Sequence, residues 1–563
     1  MADKKGISIV LAGEAGQGIQ SIEVILVNVM KKAGYNVFAT KEYMSRVRGG
    51  VNSTQIIISC GPVAAPLERM DIFVPLTKES LERFKNRITK KTLVLGEKDK
   101  LGDDRVVNIP FQKIGSEFGN ALYGSSVAVG LICGIIGLDK AVLDEDIKER
   151  FAKKGEDIVK NNIGAAGSGF DVGRTLVDEK IAVFENIDCG ERKDELLLDG
   201  HNAVAIGAIA GGCDAVFAYP MTPGTGVFAA MAGYAHKAGI ALEQVEDEIG
   251  VINMAIGAWY AGARALVTTS GGGFALMTEG ISLSGMTETP VVVHLAQRPG
   301  PATGLPTRTE QGDLNLARYA GHGVFPRKIY SPGTTKQAFM IAAKAFNDAD
   351  KYQIPVFILT DQYFTDTYYN VPEFELEGIK IEKSITETGD DYKRYALAED
   401  GISPRGVPGC GKGRVCVDSD EHDETGRITE DLDGISLKMK EKRLKKFEAA
   451  RQDALAPEVI GDEDYETLFV CWGSVYHPIK EALEINGGEK AAALHFSQVY
   501  PLHPDTEKYL KKAKKVIAVE NNQDAQFAEL IRAETGFEIK ERILKYNGLP
   551  FASDELAEKI RGL

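Results

Sequence analysis

Cysteine and tryptophan are scarce in this chain of 563 residues, with seven of the first and two of the second. The cysteines, at 60, 133, 189, 213, 410, 416 and 471, are odd in number and the closest two stand six apart. No CxxC is present to begin an iron–sulfur site and no disulfide framework is implied, so reduced, mostly buried thiols are expected. Long apolar runs are also missing. The longest uncharged apolar stretch, Val127 to Leu138, has 12 residues including three glycines, whereas a membrane-spanning helix needs about 18 to 20. Positive charge is in deficit, with 66 Lys+Arg against 81 Asp+Glu and a net charge of −15. A broad basic footprint for nucleic acid is therefore excluded. At the start, Lys4 and Lys5 precede only a brief apolar run that reads as a strand rather than a signal-peptide core, so a cytoplasmic protein is expected.

Hydrophobic residues at 44% and charged residues at 26% are the balance of a globular chain able to bury large cores. At roughly 150 residues per domain the length predicts three or four domains. From Ile7 onward, β-branched runs such as ISIVLAG, YNVFAT and DIFVPL alternate with amphipathic stretches, which predicts an α/β domain with a mainly parallel sheet over 1–190. A second series, DAVFAYP, ALVTTS, PVVVHLA and IPVFILTD, has continuous apolar strands of the kind that helices cover on both faces, and defines a doubly wound domain over 196–385. Over 386–456 Gly, Pro and charge dominate, ending in a basic run with helical periodicity; this predicts an extended arm and a surface helix. A last α/β unit fills 457–563, beginning at LFVCWGS.

Several loops carry residues suited to ligands. Gly13, Gly16 and Gly18 form a GxxGxG turn between a strand and a helix, where free N–H groups favour an anion. Arg46 and Arg48 add guanidiniums beside Gly49 and Gly50. In the second domain, Tyr219-Pro220-Met221-Thr222-Pro223-Gly224-Thr225 follows a strand, where open sheets place ligands, and offers Thr222 between two prolines. Glu248 opens a Gly- and Ala-rich helix with no cation nearby, which suits a carboxylate turned into a crevice. Gly271-Gly272-Gly273-Phe274 allows close backbone approach, and the loop 300–308 ends in Thr307 and Arg308, a cation suited to a carboxylate, with Arg298 a second choice. Each loop alone has a structural explanation as a turn or helix cap; four after successive strands of one domain favour a site.

These residues carry a resemblance. YPMTPGTG at 219–226, EDEIGVINMAIGA at 246–258, TTSGGGFALMTEG at 268–280 and ATGLPTRTEQGDL at 302–314 resemble the α subunit of 2-oxoacid:ferredoxin oxidoreductases, in the form that has the γ domain fused N-terminal to α. Met and Gly replace Ile and Ser of the family pattern YPITPS, and Gly272 replaces the proline of SGPGF. The resemblance implies a γ-type domain, a pyrimidine-binding thiamine diphosphate domain and a transketolase-C-like domain, in that order. It implies Glu248 as the carboxylate on the cofactor's ring nitrogen, Thr222 as a substrate-holding and catalytic hydroxyl, and Tyr219, Pro220 and Gly271 to Phe274 as cofactor contacts. Arg308, Arg298 and Thr307 would bind the substrate, and Gly13, Gly16, Gly18, Arg46 and Arg48 become candidates for coenzyme A phosphates.

The GDG that opens the usual magnesium–diphosphate motif is missing. The resemblance therefore implies a β subunit holding the diphosphate, Mg²⁺ and a [4Fe–4S] cluster, an (αβ)₂ assembly, and ferredoxin or a small ferredoxin-like subunit as electron acceptor. Oxidative decarboxylation of a 2-oxoacid with coenzyme A is the implied reaction, reversible in principle. 2-Oxoglutarate is the favoured substrate, with pyruvate or branched-chain oxoacids as alternatives. Two other classes fit parts of the sequence: a dinucleotide- or flavin-binding electron carrier, through the glycine-rich N-terminus, and a non-catalytic assembly subunit on the same fold.

Overall fold

The computed structural model describes residues 6–45, 49–184, 189 and 194–563. It is an α/β protein of two compact units: Met1–Leu197 with Thr367–Glu373 and Ala552–Glu555, and the remainder. Among the described residues no helix is long and apolar enough to cross a membrane.

The first unit is built on an eight-stranded sheet. Ile7–Gly13 pairs parallel with Ile72–Pro75 but antiparallel with Asn52–Ser59, which in turn pairs antiparallel with Asn36–Glu42. The sheet is thus mixed rather than mainly parallel. The segment 43–51 is too short for a crossover, which takes a dozen or more residues, so the two strands it joins must run antiparallel. Tyr368–Val371 extends the sheet antiparallel to Asn36–Glu42, with Val37 N–H donating to Asn370 Oδ1 at 2.8 Å. This strand, which the sequence groups with the second domain, belongs to the first unit. Below the sheet, Gly124–Ile136 packs on Glu156–Asp178, a helix that absorbs the glycine-rich stretch 162–173.

The second unit holds two sheets. The larger runs in the order Gln498–Tyr500, Lys328–Tyr330, Pro355–Asp361, Val291–Gln297, Ala265–Thr269, Ala215–Ala218, Ala241–Gln244, parallel throughout except for its first strand. Its central strands are fully buried, as their unbroken apolar runs require. The smaller sheet has Glu458–Gly461 antiparallel at one edge and Ala491–Phe496, Thr467–Trp472, Lys515–Glu520 and Glu541–Leu544 parallel.

The basic helix Ile435–Gln452 is not simply a surface helix. Lys442 Nζ pairs with the buried Glu288 at 2.7 Å and Lys446 pairs with the same carboxylate. Burial alone would raise the Glu288 carboxyl, but Lys446, Lys442 and Arg394 together hold it well below the usual carboxylate range. Arg394 donates to the Glu288 carbonyl at 2.6 Å and so ties the preceding arm to the same point. Removing one member of such a buried set leaves an uncompensated charge and typically costs about 3–5 kcal/mol.

The expectation of seven free thiols is corrected. Cys60 and Cys189 form a disulfide, while Cys133, Cys213 and Cys471 are buried, Cys410 half-buried and Cys416 exposed. A separation of 129 residues left no spacing signal to read. Alkylation of the denatured, unreduced chain should therefore label five thiols, and prior reduction should bring the total to seven; seven before reduction would contradict the pairing.

Candidate functional site

Four loops follow the carboxyl ends of parallel strands in the larger sheet of the second unit, and each delivers a polar group to one cluster. After Ala215–Ala218 the chain turns through 219–224 into the helix Thr225–Ala238. After Ala241–Gln244 comes Asp247, whose side chain accepts from Gly250 N–H at 2.7 Å and caps the helix Glu248–Tyr260. Glu248 thus occupies the first helical position, where the helix dipole favours negative charge. Ser270 follows Ala265–Thr269, and Arg298 follows Val291–Gln297.

Glu248 is 3% exposed, and its Oε1 is buried with no hydrogen-bond partner among the described residues. An orphaned buried acceptor costs about 1–3 kcal/mol. Three other buried atoms of this loop set share that condition: Ser270 Oγ, Arg298 Nε and Asp313 Oδ2. Groups left in this state are places where a ligand, an ion or ordered water can supply the partners.

Close backbone approach makes the arrangement possible. A Cβ placed on Gly273 would lie 2.5 Å from Glu248 Oε1 and would also strike Thr269 Oγ1, so only glycine admits the carboxylate here. Gly273 N–H donates to Met221 Sδ at 3.2 Å, linking this loop to the one bearing Thr222. Arg298 Nη1 donates to the Thr222 carbonyl at 2.7 Å. Asp313 places its carboxylate over Gly271, 2.6 Å from where a Cβ would stand, and its N–H donates to Gln297 Oε1 at 3.0 Å.

Behind the loops a polar chain fixes Gly224. Thr268 Oγ1 donates to the Gly224 carbonyl at 2.9 Å and lies 2.9 Å from His294 Nδ1, while His294 Nε2 lies 2.8 Å from Thr360 Oγ1. The single Thr268 proton is spent on Gly224, so His294 must donate from Nδ1 and accept at Nε2. Burial, with His201 adding to it, pushes the His294 imidazole down to about 3, which keeps it neutral and suited to both roles.

Electrostatics single out Asp313. Burial first, and then the Glu310 carboxylate, lift its carboxyl to about 7, with Arg298 pulling the other way. Burial also lowers Arg298, against the attraction of Asp313.

The sequence-derived residues separate accordingly. Glu248, Gly271, Gly273, Thr222 and Arg298 come together; Tyr219 and Pro220 are exposed on the same loop as Thr222. Gly272 has nothing nearer a Cβ than Met221 Sδ at 3.7 Å. Phe274 points away into the core, fully buried with its ring edge-to-face on Phe357 at 5.2 Å. Thr307 is buried, and Arg308 lies along Gly548, whose Cβ would be 3.2 Å from Arg308 Cβ. Between Arg298 and Arg308 the chain makes a turn closed by Leu305 N–H donating to the Pro299 carbonyl at 3.0 Å. Met221, Ser270 and Asp313 were not singled out from sequence, although Asp313 stands in the quoted 302–314 motif immediately before the helix Leu314–Arg318.

In the first unit, Gly16 and Gly18 line a cavity of about 640 Å³ together with Ser21, Ser125, Lys100 and Lys154. Gly13 lies beside Gln17, whose Oε1 accepts from Glu14 N–H at 2.8 Å and closes the turn. Arg46 and Arg48 lie outside the described residues.

Strand-end loops with unsatisfied groups around a buried carboxylate define a ligand-binding α/β protein of the doubly wound class. Comparison with known proteins narrows this. Residues 206–441 match the family model "Pyruvate flavodoxin/ferredoxin oxidoreductase, thiamine diP-bdg" and residues 8–172 match "Pyruvate ferredoxin/flavodoxin oxidoreductase". The 2-oxoacid:ferredoxin oxidoreductase subunit alpha of Sulfolobus sp is 33% identical over 98% of this chain and 96% of its own. Subunit alpha of 2-oxoacid:ferredoxin oxidoreductase 1 from Sulfurisphaera tokodaii is 33% identical over 98% and 97%. The solved 2-oxoglutarate:ferredoxin oxidoreductase from Magnetococcus marinus, with 2-oxoglutarate, coenzyme A and succinyl-CoA bound, is 31% identical with a TM-score of 0.92, covering 100% of both chains. The chain belongs to the family of 2-oxoacid:ferredoxin oxidoreductase alpha subunits.

The glycine loop gives a direct test of the site's packing. Gly273→Ala should destabilise the chain by about 1–3 kcal/mol, the usual cost of overpacking, whereas Gly272→Ala should leave thermal unfolding close to wild type. Equal effects would mean that Glu248 does not rest over Gly273.

Proposed function

We propose that this chain is the α subunit, with the γ-type domain fused at its N-terminus, of a complex that oxidatively decarboxylates 2-oxoglutarate. Its products are the acyl thioester of coenzyme A and CO₂, and the electrons pass to ferredoxin. The observation that carries this is the buried, unpartnered Glu248 Oε1 over Gly273. A carboxylate in that state fits the ring N–H of an aminopyrimidine, as the imino tautomer needs, and it fits poorly with an assembly subunit, for which the orphaned oxygen would be cost alone.

Thiamine diphosphate, when held with Glu248 at its ring nitrogen, would supply the nucleophilic and electron-accepting chemistry that decarboxylation of a 2-oxoacid needs. The remaining work falls to this chain's residues. Glu248 holds and exchanges the proton at the ring nitrogen. The Thr222 hydroxyl, with its loop fixed by Arg298 and the Thr268–His294–Thr360 chain, hydrogen-bonds the substrate. Arg298, whose Nε lacks a partner, pairs with the carboxylate next to the keto group, which places it ahead of Arg308 for that role. Arg308 and Thr307 remain for the distal carboxylate of 2-oxoglutarate. Tyr219, Pro220 and the glycines 271–273 line the cofactor's approach, while the core position of Phe274 makes it a support for the loop.

The cavity over Gly16 and Gly18 suits a phosphate-bearing ligand, with Gly18 and Ser21 at the opening of the helix Ile19–Lys32 and the cations Lys100 and Lys154 all in its lining; coenzyme A is our assignment. A β subunit carrying Mg²⁺, the diphosphate site and a [4Fe–4S] cluster, in an (αβ)₂ assembly, completes the reaction. We place the complex in the cytoplasm, and the Cys60–Cys189 disulfide is the observation that pulls against this, since cytosolic disulfides are usually transient.

Assay of the co-purified complex by viologen reduction, with coenzyme A and a panel of oxoacids, tests the reading. Glu248→Gln should lower kcat by at least about a hundredfold with the fold intact. Rates near wild type would remove Glu248 from the chemistry.

A further inference from the structure

Asp313 is used by nothing described so far, although it sits among the site residues. Its Oδ2 is buried without a hydrogen-bond partner, and its carboxylate rests over Gly271. Its backbone N–H is tied to Gln297, the residue directly before Arg298. Arg298 in turn keeps Nε buried and unpartnered while Nη1 holds the Thr222 carbonyl. One loop end therefore presents a cation with an unused donor and an acid with an unused oxygen, each influencing the other's charge.

We infer that Asp313 is a proton-linked counter-ion of Arg298, so that a 2-oxoacid binding at this site takes up a proton. The inference rests on the proposal that Arg298 receives the substrate carboxylate. When Asp313 is ionised its charge offsets that of Arg298 and repels the incoming anion. When it is protonated, Arg298 is left available to the incoming carboxylate. Arrival of a second negative charge beside Arg298 raises the affinity of Asp313 for its proton, so binding and protonation favour one another.

Among the described residues the charged neighbours are few. Glu310, on the same loop, repels the ionised form, and Asp524, on the loop after Lys515–Glu520, acts on Glu310. Gly271, Ser270 and Gln297 bring no charge, and Glu248 belongs to the same loop cluster. Burial and Glu310 outweigh Arg298 and lift the Asp313 carboxyl to about 7. Asp313 is a positioning residue here, acting through Arg298.

The sign is fixed. Above about pH 7 the free complex has lost the proton that binding must restore, so KM for 2-oxoglutarate should rise with pH, approaching about tenfold per unit at most. The test measures KM and kcat of the assembled complex with coenzyme A and viologen between about pH 6 and about pH 9. Asp313→Asn, which mimics the protonated form, should give a low KM that no longer depends on pH in this range, with kcat within about threefold of wild type. Glu310→Gln, which removes the like charge, should move the wild-type rise to lower pH. A wild-type rise that persists in Asp313→Asn, or one that Glu310→Gln leaves in place, overturns the inference. A flat wild-type KM with turnover intact overturns it while leaving the activity standing, and absence of turnover with every oxoacid overturns the functional reading as well.

Discussion

A carboxylate oxygen kept from water without a partner is the constraint around which the second unit is arranged. Glu248 is held at a helix start, capped by Asp247, and pressed over a residue that can only be glycine. Each feature removes solvent from the carboxylate while giving it little in return except the helix dipole. An orphaned buried acceptor is costly, so the surrounding fold has to over-determine its position. The central parallel strands, wholly buried, and the Glu288 ion cluster provide that rigidity. Sites of this kind trade stability for function, and the sum stays favourable only because the core is large.

The same economy runs through the neighbouring loops. Ser270 Oγ, Arg298 Nε and Asp313 Oδ2 are left short of partners, whereas the groups one layer back are satisfied without exception along the chain from Gly224 to Thr268, His294 and Thr360. The unsatisfied groups lie in the strand-end loops, and the satisfied ones fix those loops. A neutral His294 serves the second purpose well, since an imidazolium there could not accept from Thr360.

Much of this was legible in the sequence, and what was not has physical reasons. The larger sheet announced itself, because strands such as Val291–Gln297 and Pro355–Asp361 are continuous apolar runs that only two-sided burial explains. The first unit's sheet was harder. Its hairpin between Asn36–Glu42 and Asn52–Ser59 has the strand composition of a parallel unit, and Tyr368–Val371 arrives from far along the chain. Helical periodicity marked Ile435–Gln452 but could not show that Lys442 and Lys446 meet Glu288, more than a hundred positions earlier. Glu248 stood out by the lack of any nearby cation. Arg298 and Arg308 could not be ranked, because the ranking depends on the burial of Arg298 Nε, which the sequence does not show. Phe274 reads as part of a glycine loop, yet its ring is core.

The two units divide the labour in this account, with the cavity over Gly16 and Gly18 assigned to coenzyme A and the Glu248 cluster to the aminopyrimidine. The second assignment is the central claim, and it is tested most directly by binding rather than by rate. Calorimetric titration of thiamine diphosphate into the assembled complex should show Glu248→Ala binding at least about tenfold more weakly than wild type, the loss of one charge-assisted hydrogen bond of about 1.5–3 kcal/mol. Equal affinity in the two proteins would contradict the claim that the orphaned carboxylate is the cofactor's partner.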